Sequence, residues 1–501
     1  MNLLLDEIDV LETAGDPSAV DVRGIEHDSR RVTTGDLFFC LPGHGTDGHD
    51  HAAAAADRGA VGLVCERLVT DDLARPLPQA RVAEGTIRSA MASVAAAFFG
   101  HPSRQLLMAG VTGTNGKTTV TALLASVLGA AGHPASVIGT LSGARTTPES
   151  PELQARLAAI RDAAEPDGPE PAVAVEVSSH ALVQARVDGV HFDVVVFTNL
   201  SHDHLDFHGT MEAYFDAKAS LFTPERAVRG VVNADDEWGR RLLGEARIPV
   251  VAVRREAVSD VVVAPGRTEF TWRGRRVVMP LTGAINVDNA LLAAEAAVSL
   301  GVEPEAVVAG LATTRPVPGR MEVVTAPDRG GAPFTVVVDY AHTPEGLAVA
   351  LGESRRLAAP GGRVLVAFGC GGNRDRAKRP LMGAVATSLA DIAVVTSDNP
   401  RDEDPDAIID EIVAGAVPSP SAASAAGRLV VEPDRHRAVS LVIGAARPGD
   451  VVLIAGKGHE TYQEIAGRRL DFDDRSVATG LLAASWPGDP TTPVPAVDGR
   501  D

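Results

Sequence analysis

Short runs of apolar residues alternate with longer segments of mixed polarity along most of the chain. In the last third, such runs cover residues 334–340, 363–370, 391–397 and 450–455, and helical patterns lie between them. Strands that are apolar on both faces are typical of a parallel sheet covered by helices. A similar run at 106–111 precedes another helical pattern. The pattern therefore predicts an α/β protein with parallel sheets.

A chain of 501 residues is longer than one hydrophobic core usually serves, so several domains are expected. Changes in pattern and composition predict three of them, at residues 1–103, 104–322 and 323–486. A proline-rich stretch at 315–319 is typical of a hinge. Residues 487–501 are rich in proline, threonine and aspartate and are predicted to form a disordered tail.

The charge and composition exclude several classes of protein. A net charge of −20 argues against a nucleic-acid partner, which needs a basic surface. No apolar run reaches about 18 residues, so membrane insertion is not expected. The acidic N-terminus has no basic region and does not resemble a secretory signal. Three well-separated cysteines indicate a reduced compartment, and we expect a cytoplasmic monomer.

The segment GTNGKTT lies between a predicted strand and a predicted helix. Glycines let backbone N–H groups approach phosphates, and a helix N-terminus favours anions. Here Lys117 is expected to reach the β and γ phosphates of ATP, and Thr118 to bind Mg²⁺. The alternative is a simple glycine turn, since the first glycine of the strict pattern would fall at Val111. The predicted loop consists of Gly113, Thr114, Asn115, Gly116, Lys117, Thr118 and Thr119.

Two further apolar runs end in polar residues, where α/β proteins commonly bind ligands. Glu176 and His204 follow these runs and are predicted to help hold Mg²⁺. The cluster His202, His204, Asp206 and His208 has an alternative interpretation as a zinc site. A phosphate loop calls for a hard, oxygen-preferring cation, which favours magnesium.

These residues stand within longer stretches that resemble the Mur ligase family over about residues 26–475. GTNGKTT alone would also fit folylpolyglutamate-synthase-like proteins, whereas the whole set is specific. The resemblance implies a UDP-binding N-terminal domain, a central P-loop ATPase domain and a Rossmann-like C-terminal domain. The stretches that carry it are HDSRRVTTGDLFFCLPG, GVTGTNGKTT, EVSSHALVQARV, FTNLSHDHLDFHG, YFDAKASLF, GAINVDNALLA, PGRMEVV, VDYAHTPEGL, GCGGNRDRAKRP, TSDNPR and AGKGHETYQ.

The resemblance also implies roles for individual residues. Those similar to uridine contacts are Ser29, His44, Gly45 and Thr46. Those similar to contacts with the muramoyl peptide are Thr146, Thr147, Ser178, Gln184 and Arg186. Those similar to adenine contacts are Asn286 and Asn289, and further nucleotide contacts are Arg320, Asp339 and His342.

Lys218 lies in a helical pattern over 214–218. From the sequence alone, a surface lysine is the simpler interpretation. In similar enzymes this lysine is carbamylated and helps to hold Mg²⁺, so the resemblance implies the same here. The implied catalytic set is then Lys117, Glu176, His204 and Lys218, with Thr118, Glu176, His204 and Lys218 at the metal.

The stretches are closest to those members that add the third residue to the peptide of a UDP-linked cell-wall precursor. The resemblance implies an ATP-dependent ligase that joins meso-2,6-diaminopimelate to UDP-N-acetylmuramoyl-L-alanyl-D-glutamate through an acyl phosphate. DNPR is associated with diaminopimelate in the family, and a guanidinium suits its extra carboxylate. The residues implied for the amino acid are Arg374, Asp398, Asn399, Pro400, Arg401, Gly456 and Glu460.

Other functions stay open at this stage. The chain could be another Mur-type ligase, such as the next one in the pathway, a cyanophycin-synthetase-like enzyme or one that polyglutamylates folate. The N-terminal HDSR stretch and DNPR argue against these. A catalytically silent nucleotide-binding scaffold is a further alternative, and the presence of all four catalytic residues argues against it. Substrate-dependent ATP turnover would separate a scaffold from an enzyme.

Overall fold

A computed structural model describes residues 1–43, 45–69, 73, 75–325, 332–417 and 428–485. The predicted tail 487–501 and the predicted uridine contact His44 lie outside these residues. Within them, three large sheets of five or six strands follow one another along the chain, each covered by helices. The predicted α/β class with parallel sheets is therefore confirmed, whereas the exact domain boundaries stay a prediction.

The N-terminal domain is built on a five-stranded sheet in the order β1-β5-β4-β3-β2. Strands β2 to β5 are parallel, and β1 pairs antiparallel with β5. Its strands are β1 (Glu12–Ala14), β2 (Gly24–Glu26), β3 (Asp36–Phe39), β4 (Gly62–Cys65) and β5 (Gln79–Arg81). Its helices are α1 (Asn2–Leu5), α2 (Ala52–Arg58) and α3 (Ile87–Phe98).

The central domain has a six-stranded, fully parallel sheet in the order β11-β10-β9-β6-β8-β7. Its strands are β6 (Leu107–Thr112), β7 (Ala135–Ile138), β8 (Ala172–Glu176), β9 (Phe192–Phe197), β10 (Ala227–Asn233) and β11 (Val250–Val253). Separate apolar cores cover its two faces. The helices are α4 (Lys117–Ala130), α5 (Ser150–Asp162), α6 (Ser179–Val183), α7 (Leu205–His208), α8 (Met211–Ala219), α9 (Glu237–Glu245), α10 (Ile285–Ser299) and α11 (Pro304–Thr313).

A small antiparallel sheet is inserted between β11 and α10. It consists of β12 (Val258–Ala264), β13 (Arg267–Trp272) and β14 (Arg275–Met279). The buried side chains of Phe270, Trp272 and Val277 join the core that contains α4 and α10. The sequence pattern did not predict this sheet.

The C-terminal domain has a six-stranded sheet in the order β15-β16-β20-β17-β18-β19, in which only β15 is antiparallel. Its strands are β15 (Glu322–Val324), β16 (Thr335–Asp339), β17 (Val364–Phe368), β18 (Ile392–Val395), β19 (Arg428–Val431) and β20 (Val451–Ala455), and a hairpin adds β21 (Tyr462–Ile465) and β22 (Arg468–Asp471). The helices are α12 (Pro344–Leu357), α13 (Lys378–Leu389), α14 (Pro405–Val413), α15 (Arg435–Gly444) and α16 (Asp474–Ser485).

The strand order determines where a ligand can bind. In the central sheet, β6 lies between β8 and β9, so the order reverses beside it. Open α/β sheets bind ligands outside the carboxyl ends of their strands at such a reversal. The segment that follows β6 is the predicted phosphate loop. Among the helices that the structure describes, none is long and apolar enough to cross a membrane.

A buried ion pair between α15 and α16 gives a first prediction, on stability. The guanidinium of Arg435 donates two hydrogen bonds of 2.8 Å to the Asp474 carboxylate, and both side chains are 0% exposed. Asp474→Ala leaves the buried guanidinium without its counter-charge, so we expect a loss of about 3–5 kcal/mol in unfolding free energy. Calorimetric melting measures it.

Glu245→Ala is the matched control, because it removes the carboxylate of an exposed pair with Arg241. Its Tm should stay close to that of the unmutated protein. Equal Tm values for the two variants would contradict the prediction.

Candidate active site between the central and C-terminal domains

The predicted phosphate loop connects β6 to α4, and its backbone conformation requires glycine. Gly113 has φ 149°, and an added Cβ there would lie 1.8 Å from Thr198 Oγ1. The Lys117 ammonium folds over the loop and donates to the carbonyl oxygens of Gly113 at 2.9 Å and Thr114 at 2.8 Å. The first N–H groups of α4 therefore point into the space beside a cation, which suits an anionic ligand.

The end of strand β9 holds this loop in place. Asn199 accepts backbone hydrogen bonds from Thr114 and Asn115, each 2.9 Å long. Thr198 Oγ1 donates to the Asn115 carbonyl oxygen at 2.6 Å. Because its backbone groups are bound to a rigid strand, the loop has its shape before any ligand arrives.

The predicted metal residues come together at the start of α4. One Glu176 oxygen accepts from Thr118 Oγ1 at 3.0 Å, and the other accepts from the Thr140 N–H at 2.9 Å. Thr118, Glu176 and His204 line the same cavity. Lys218 Nζ approaches from α8 and donates to the Gly113 carbonyl oxygen at 2.8 Å.

Lys218 is not the surface lysine that its helical pattern suggested. The residue is only 1% exposed. Burial lowers the pKa of its ammonium well below the usual value, and the neighbouring Lys117 lowers it further. Burial therefore favours the neutral amine over the ammonium, and the amine is the form that reacts with electrophiles.

Histidines from α6 and α7 pack beside these lysines. His180 lies edge-on to His204, with 4.8 Å between ring centroids, and stacks on Phe207 at 4.1 Å. Burial lowers the pKa of His204 to about 4, although Asp203 opposes the shift. Burial, with His180 and Lys218, also lowers the pKa of His208 to about 4.

The alternative zinc cluster is not assembled. The part of the chain that the structure describes contains no group of three or more His, Cys, Asp or Glu side chains arranged to hold a metal ion. His208 instead pairs with Ser179 Oγ at 2.9 Å, and His202 and Asp206 are exposed.

Residues from both domains surround a cavity of about 440 Å³. Arg320 lies 4.4 Å over the ring of Tyr340, and its guanidinium donates to Thr118 Oγ1 at 3.4 Å. Both Asp339 oxygens accept backbone N–H bonds, from Met321 at 2.7 Å and Ala341 at 2.8 Å. Asp339 therefore fixes the backbone after the predicted hinge, in addition to lining the cavity.

The predicted adenine and nucleotide residues lie around the same space. Asn286 and Asn289 on α10 are buried, hydrogen-bonded to each other at 3.1 Å, and line the cavity beside Gly116. His342 lines it from the C-terminal domain and pairs with the Tyr340 carbonyl oxygen at 2.9 Å. The structure thus brings every predicted nucleotide residue to one cavity except Gly113, whose carbonyl lies beneath Lys117.

The predicted uridine contacts follow two neighbouring strands of the N-terminal sheet. Ser29 comes after β2, whereas Gly45 and Thr46 come after β3, which is parallel to β2. They therefore lie at the same edge of the sheet. The hydroxyl of Thr46 pairs with His51 Nε2 at 2.6 Å.

The predicted contacts with the muramoyl peptide form a connected group near Glu176. Thr147 Oγ1 donates to the Glu176 carbonyl oxygen at 2.7 Å and accepts from the Ser178 N–H at 3.0 Å. Arg186 donates to the Thr147 carbonyl oxygen at 2.9 Å and to Gln184 Oε1 at 2.6 Å. Thr146 pairs with Thr140 at 3.0 Å at the margin of the cavity.

The predicted amino-acid residues meet at the carboxyl ends of β17, β18 and β20. An added Cβ on Gly371 would lie 3.0 Å from the Arg401 guanidinium and 3.9 Å from Arg374 Cγ, so both arginines flank this glycine. Arg401 donates to the Gly372 carbonyl oxygen at 2.6 Å. Arg374 is exposed.

Close to this loop, Asn399 Nδ2 donates to Glu460 at 2.7 Å, and buried Lys457 donates to both at 3.1 Å. Asp398 Oδ1 is buried, has no hydrogen-bond partner among the described residues, and lies 3.7 Å from Lys457 Nζ. The Gly456 N–H donates to the Asp339 carbonyl oxygen at 3.1 Å, while the Pro400 carbonyl oxygen accepts from the Glu403 N–H at 3.0 Å. Glu460 is therefore already paired with a cation, which the sequence interpretation did not include.

Sequence reasoning missed Asp203 and Lys457. Burial opposes ionisation of Asp203, but His204, His342 and Lys378 hold its pKa below the usual range. Asp203 stands between two residues of the histidine cluster, and its position just after β9 was an available signal. Lys457 lies between two glycines at the end of β20, where only its complete burial marks it as a site residue.

The fold and the site define a class of protein: a three-domain α/β protein in which a phosphate loop faces residues of a second sheet. Three family models match consecutive parts of the chain. Residues 21–113 match the model described as Mur ligase family, catalytic domain, and residues 111–297 match the Mur ligase middle domain. Residues 319–458 match the model described as Mur ligase, glutamate ligase domain.

Similar proteins span almost the whole chain. The UDP-N-acetylmuramoyl-L-alanyl-D-glutamate--2,6-diaminopimelate ligase of Streptomyces avermitilis is 44% identical and covers 91% of this chain and 92% of its own. The protein of the same name from Solibacter usitatus is 45% identical, with 92% and 94% covered. A solved structure with that name is 31% identical, covers 93% of this chain and 95% of its own, and superposes with a TM-score of 0.61. The chain belongs to the Mur ligase family.

The lowered pKa values of His204 and His208 determine how the free energy of unfolding should depend on pH. A histidine whose pKa is about 4 when folded and 6.5 when unfolded binds more protons in the unfolded state between these values. Stability should therefore fall as the pH is lowered from about 6.5 to 4. Replacing one such group in His208→Gln should make the fall in Tm shallower in metal-free, nucleotide-free protein.

His436→Gln, which replaces an exposed histidine, is the control and should follow the unmutated profile. Identical pH profiles for His208→Gln and the unmutated protein would contradict the assignment of a neutral, half-buried His208.

Proposed function

We propose that this protein is an ATP-dependent ligase that joins meso-2,6-diaminopimelate to UDP-N-acetylmuramoyl-L-alanyl-D-glutamate during synthesis of peptidoglycan precursors. The observation that carries the proposal is the shared cavity, in which Lys117 and Glu176 face Arg320, next to the predicted hinge, and His342 of the C-terminal domain. Such a cavity suits a reaction that joins a nucleotide-bound group to a second substrate held by the other domain. The named relatives support the choice of substrates.

The first step is phosphoryl transfer. The terminal carboxylate of the precursor attacks the γ-phosphorus of ATP, which forms an acyl phosphate and releases ADP. Charge spreads over the γ-phosphate oxygens during this step, so a positioned cation accelerates it. Lys117 lies partly buried over the carbonyl oxygens of the phosphate loop and is the residue best placed for this role.

The second step forms the amide bond. The amine of diaminopimelate attacks the acyl carbonyl carbon, the C–O bond to phosphate breaks, and the amine loses a proton. Attack is favoured when both reactants are held in contact, which depends on approach of the two domains. Arg320 spans them, because it contacts Thr118 and the Tyr340 ring.

Magnesium fits this set of residues under one condition. Glu176 and Thr118 supply oxygen ligands, and His204 is held neutral, but an ammonium at Lys218 would repel the ion. Carbamylation would replace that ammonium with a carboxylate. Bound magnesium would supply charge neutralisation for the phosphates, and Thr118, Glu176, His204 and a carbamylated Lys218 would hold it.

Recognition of diaminopimelate rests on its distal carboxylate. Arg401 and Arg374 both lie beside Gly371, and a guanidinium binds a carboxylate through two parallel hydrogen bonds. Lysine has no carboxylate at that position, so it would leave this charge unpaired. Asp398, Asn399 and Glu460 supply acceptors for the ammonium group nearby.

A cytoplasmic location is consistent with these proposals. The cysteines Cys40, Cys65 and Cys370 are buried free thiols. Free thiols persist in the reducing conditions of the cytoplasm.

A test of the metal arrangement is Lys218→Ala. We expect most activity to be lost, because a carbamate ligand is removed. Acetate or a similar short carboxylate should restore part of the activity by occupying the empty volume, and Lys218→Arg should remain inactive since it stays cationic. Coupled ADP release measures all three.

Arg241→Ala, at an exposed arginine of α9 that lies over the Phe215 ring of α8, is the control and should retain full activity with no response to acetate. A Lys218→Ala variant that keeps full activity would contradict the role of this residue.

A test of amino-acid recognition is Arg401→Asn. Arg401 has φ 53°, which asparagine adopts more readily than alanine, so this change removes the guanidinium with little backbone strain. Losing a hydrogen bond to a charged group costs roughly 1.5–3 kcal/mol, so kcat/KM for diaminopimelate should fall at least about ten-fold. The KM for ATP should stay unchanged.

Arg437→Ala, at an exposed position of α15, should behave as the unmutated enzyme. Equal kcat/KM of the unmutated enzyme for lysine and diaminopimelate would overturn the proposed specificity, and absence of ADP release with any amino acid would overturn the ligase function.

A further inference from the structure

Three guanidinium groups converge on one buried carboxylate where the N-terminal and central domains meet. The Glu149 side chain is 7% exposed and lies 2.9 Å from Arg186, 3.4 Å from Arg145 and 3.5 Å from Arg88. Arg88 belongs to α3 of the N-terminal domain, whereas the other three residues belong to the central domain. The cluster therefore joins two domains around a single negative charge.

The charges of this cluster do not balance. Three guanidiniums and one carboxylate leave an excess of two positive charges in a chain whose net charge is −20. Burial lowers the pKa of Arg186, and the neighbouring Arg145 and Arg88 lower it further while Glu149 raises it. The cluster is thus short of negative charge, and an anionic ligand would supply what is missing.

Unused donors point to the same conclusion. Arg186 Nε is buried and has no hydrogen-bond partner among the residues that the structure describes. Arg88 and Arg145 sit at the outer limit of contact with Glu149, and their side chains remain 31% and 53% exposed. Groups held so loosely can turn most of their N–H donors toward a second anion without leaving Glu149.

The position of the cluster matches the shape of the proposed precursor. The predicted uridine contact Ser29 lies in the loop after β2, and the predicted peptide contacts Thr147 and Ser178 lie beside Arg186. Burial lowers the pKa of His27 in the same loop, and the charges of Glu149 and Arg145 also act on this pKa, so the loop faces the cluster. The cluster therefore lies between the residues expected to bind the two ends of the precursor.

We propose that Arg88 and Arg145, together with Arg186, form an anion subsite that binds a phosphate or carboxylate group of the UDP-linked precursor. Glu149 holds the three side chains in place, and the ligand bridges the N-terminal and central domains. A guanidinium provides two parallel donors to phosphate or carboxylate oxygens, which suits this role. The proposal rests on the proposed function, since that function supplies the ligand.

The experiment measures binding of UDP-N-acetylmuramoyl-L-alanyl-D-glutamate to the full-length protein by titration calorimetry. Arg88→Ala and Arg145→Ala should each raise the Kd for the precursor about ten-fold or more, and the Kd for ATP should stay unchanged. Arg145→Lys should bind the precursor with an affinity between those of Arg145→Ala and the unmutated protein, because lysine keeps the positive charge but lacks the planar guanidinium. Thermal melting confirms that each variant is folded.

Arg161→Ala is the matched control. Arg161 also links the two domains, through a 2.8 Å hydrogen bond to the Phe99 carbonyl oxygen, but it lies outside the cluster. Its Kd for the precursor should stay within about two-fold of the unmutated value. A domain brace without an anion subsite predicts equal effects for Arg161→Ala and Arg88→Ala and no effect for Arg145→Ala, and that result would overturn the proposal.

Titration with UDP alone identifies the group that is bound. If the subsite holds the diphosphate, Arg88→Ala and Arg145→Ala should weaken the binding of UDP and of the whole precursor by similar factors. If it holds a carboxylate, they should weaken the binding of the whole precursor and leave the binding of UDP unchanged. Either pattern supports the subsite, whereas unchanged binding of both ligands overturns it. Failure of the unmutated protein to bind the precursor would instead overturn the proposed function.

Discussion

The carbonyl oxygen of Gly113 accepts hydrogen bonds from two lysines, and the organisation of the site depends on this point. Lys117 reaches it from α4 at 2.9 Å, and Lys218 reaches it from α8 at 2.8 Å. Burial lowers the pKa of both ammonium groups, Arg320 lowers that of Lys117 further, and Lys117 lowers that of Lys218. An anionic ligand or a negatively charged modification offsets this excess of positive charge, so the site favours phosphate.

A continuous path of contacts extends from this point into the C-terminal domain. Thr118 contacts Glu176 on one side and Arg320 on the other. Arg320 packs over Tyr340, and the Tyr340 ring lies 5.2 Å from that of His459, in the loop that carries Lys457 and Glu460. The phosphate loop and the predicted amino-acid residues are therefore linked by a chain of side-chain contacts, although they belong to different sheets. Movement of one domain relative to the other would alter contacts in both sites.

Much of the fold was predictable because buried parallel strands leave a simple signal. The run 363–370 contains β17, and the run 450–455 contains β20, since strands covered on both faces must be apolar throughout. The sheet β12–β14 lacked such a signal because one of its faces is partly exposed, so polar and apolar residues are mixed along its strands. Lys218 shows the same limit for single residues, since its helix carries little information on which neighbours will bury it.

The sequence by itself determined the class of the protein, the phosphate loop and the resemblance to Mur ligases, because these depend on local order along the chain. Glycines at 113 and 116 and a lysine at 117 define a loop wherever a strand and a helix flank them. Only the tertiary structure decided which charges meet. Glu460 pairs with Lys457, Asp203 faces His204 and His342, and Glu149 gathers arginines from two domains. These pairings join residues on different elements, and their energies depend on burial and distance, which follow from packing and not from spacing in the sequence.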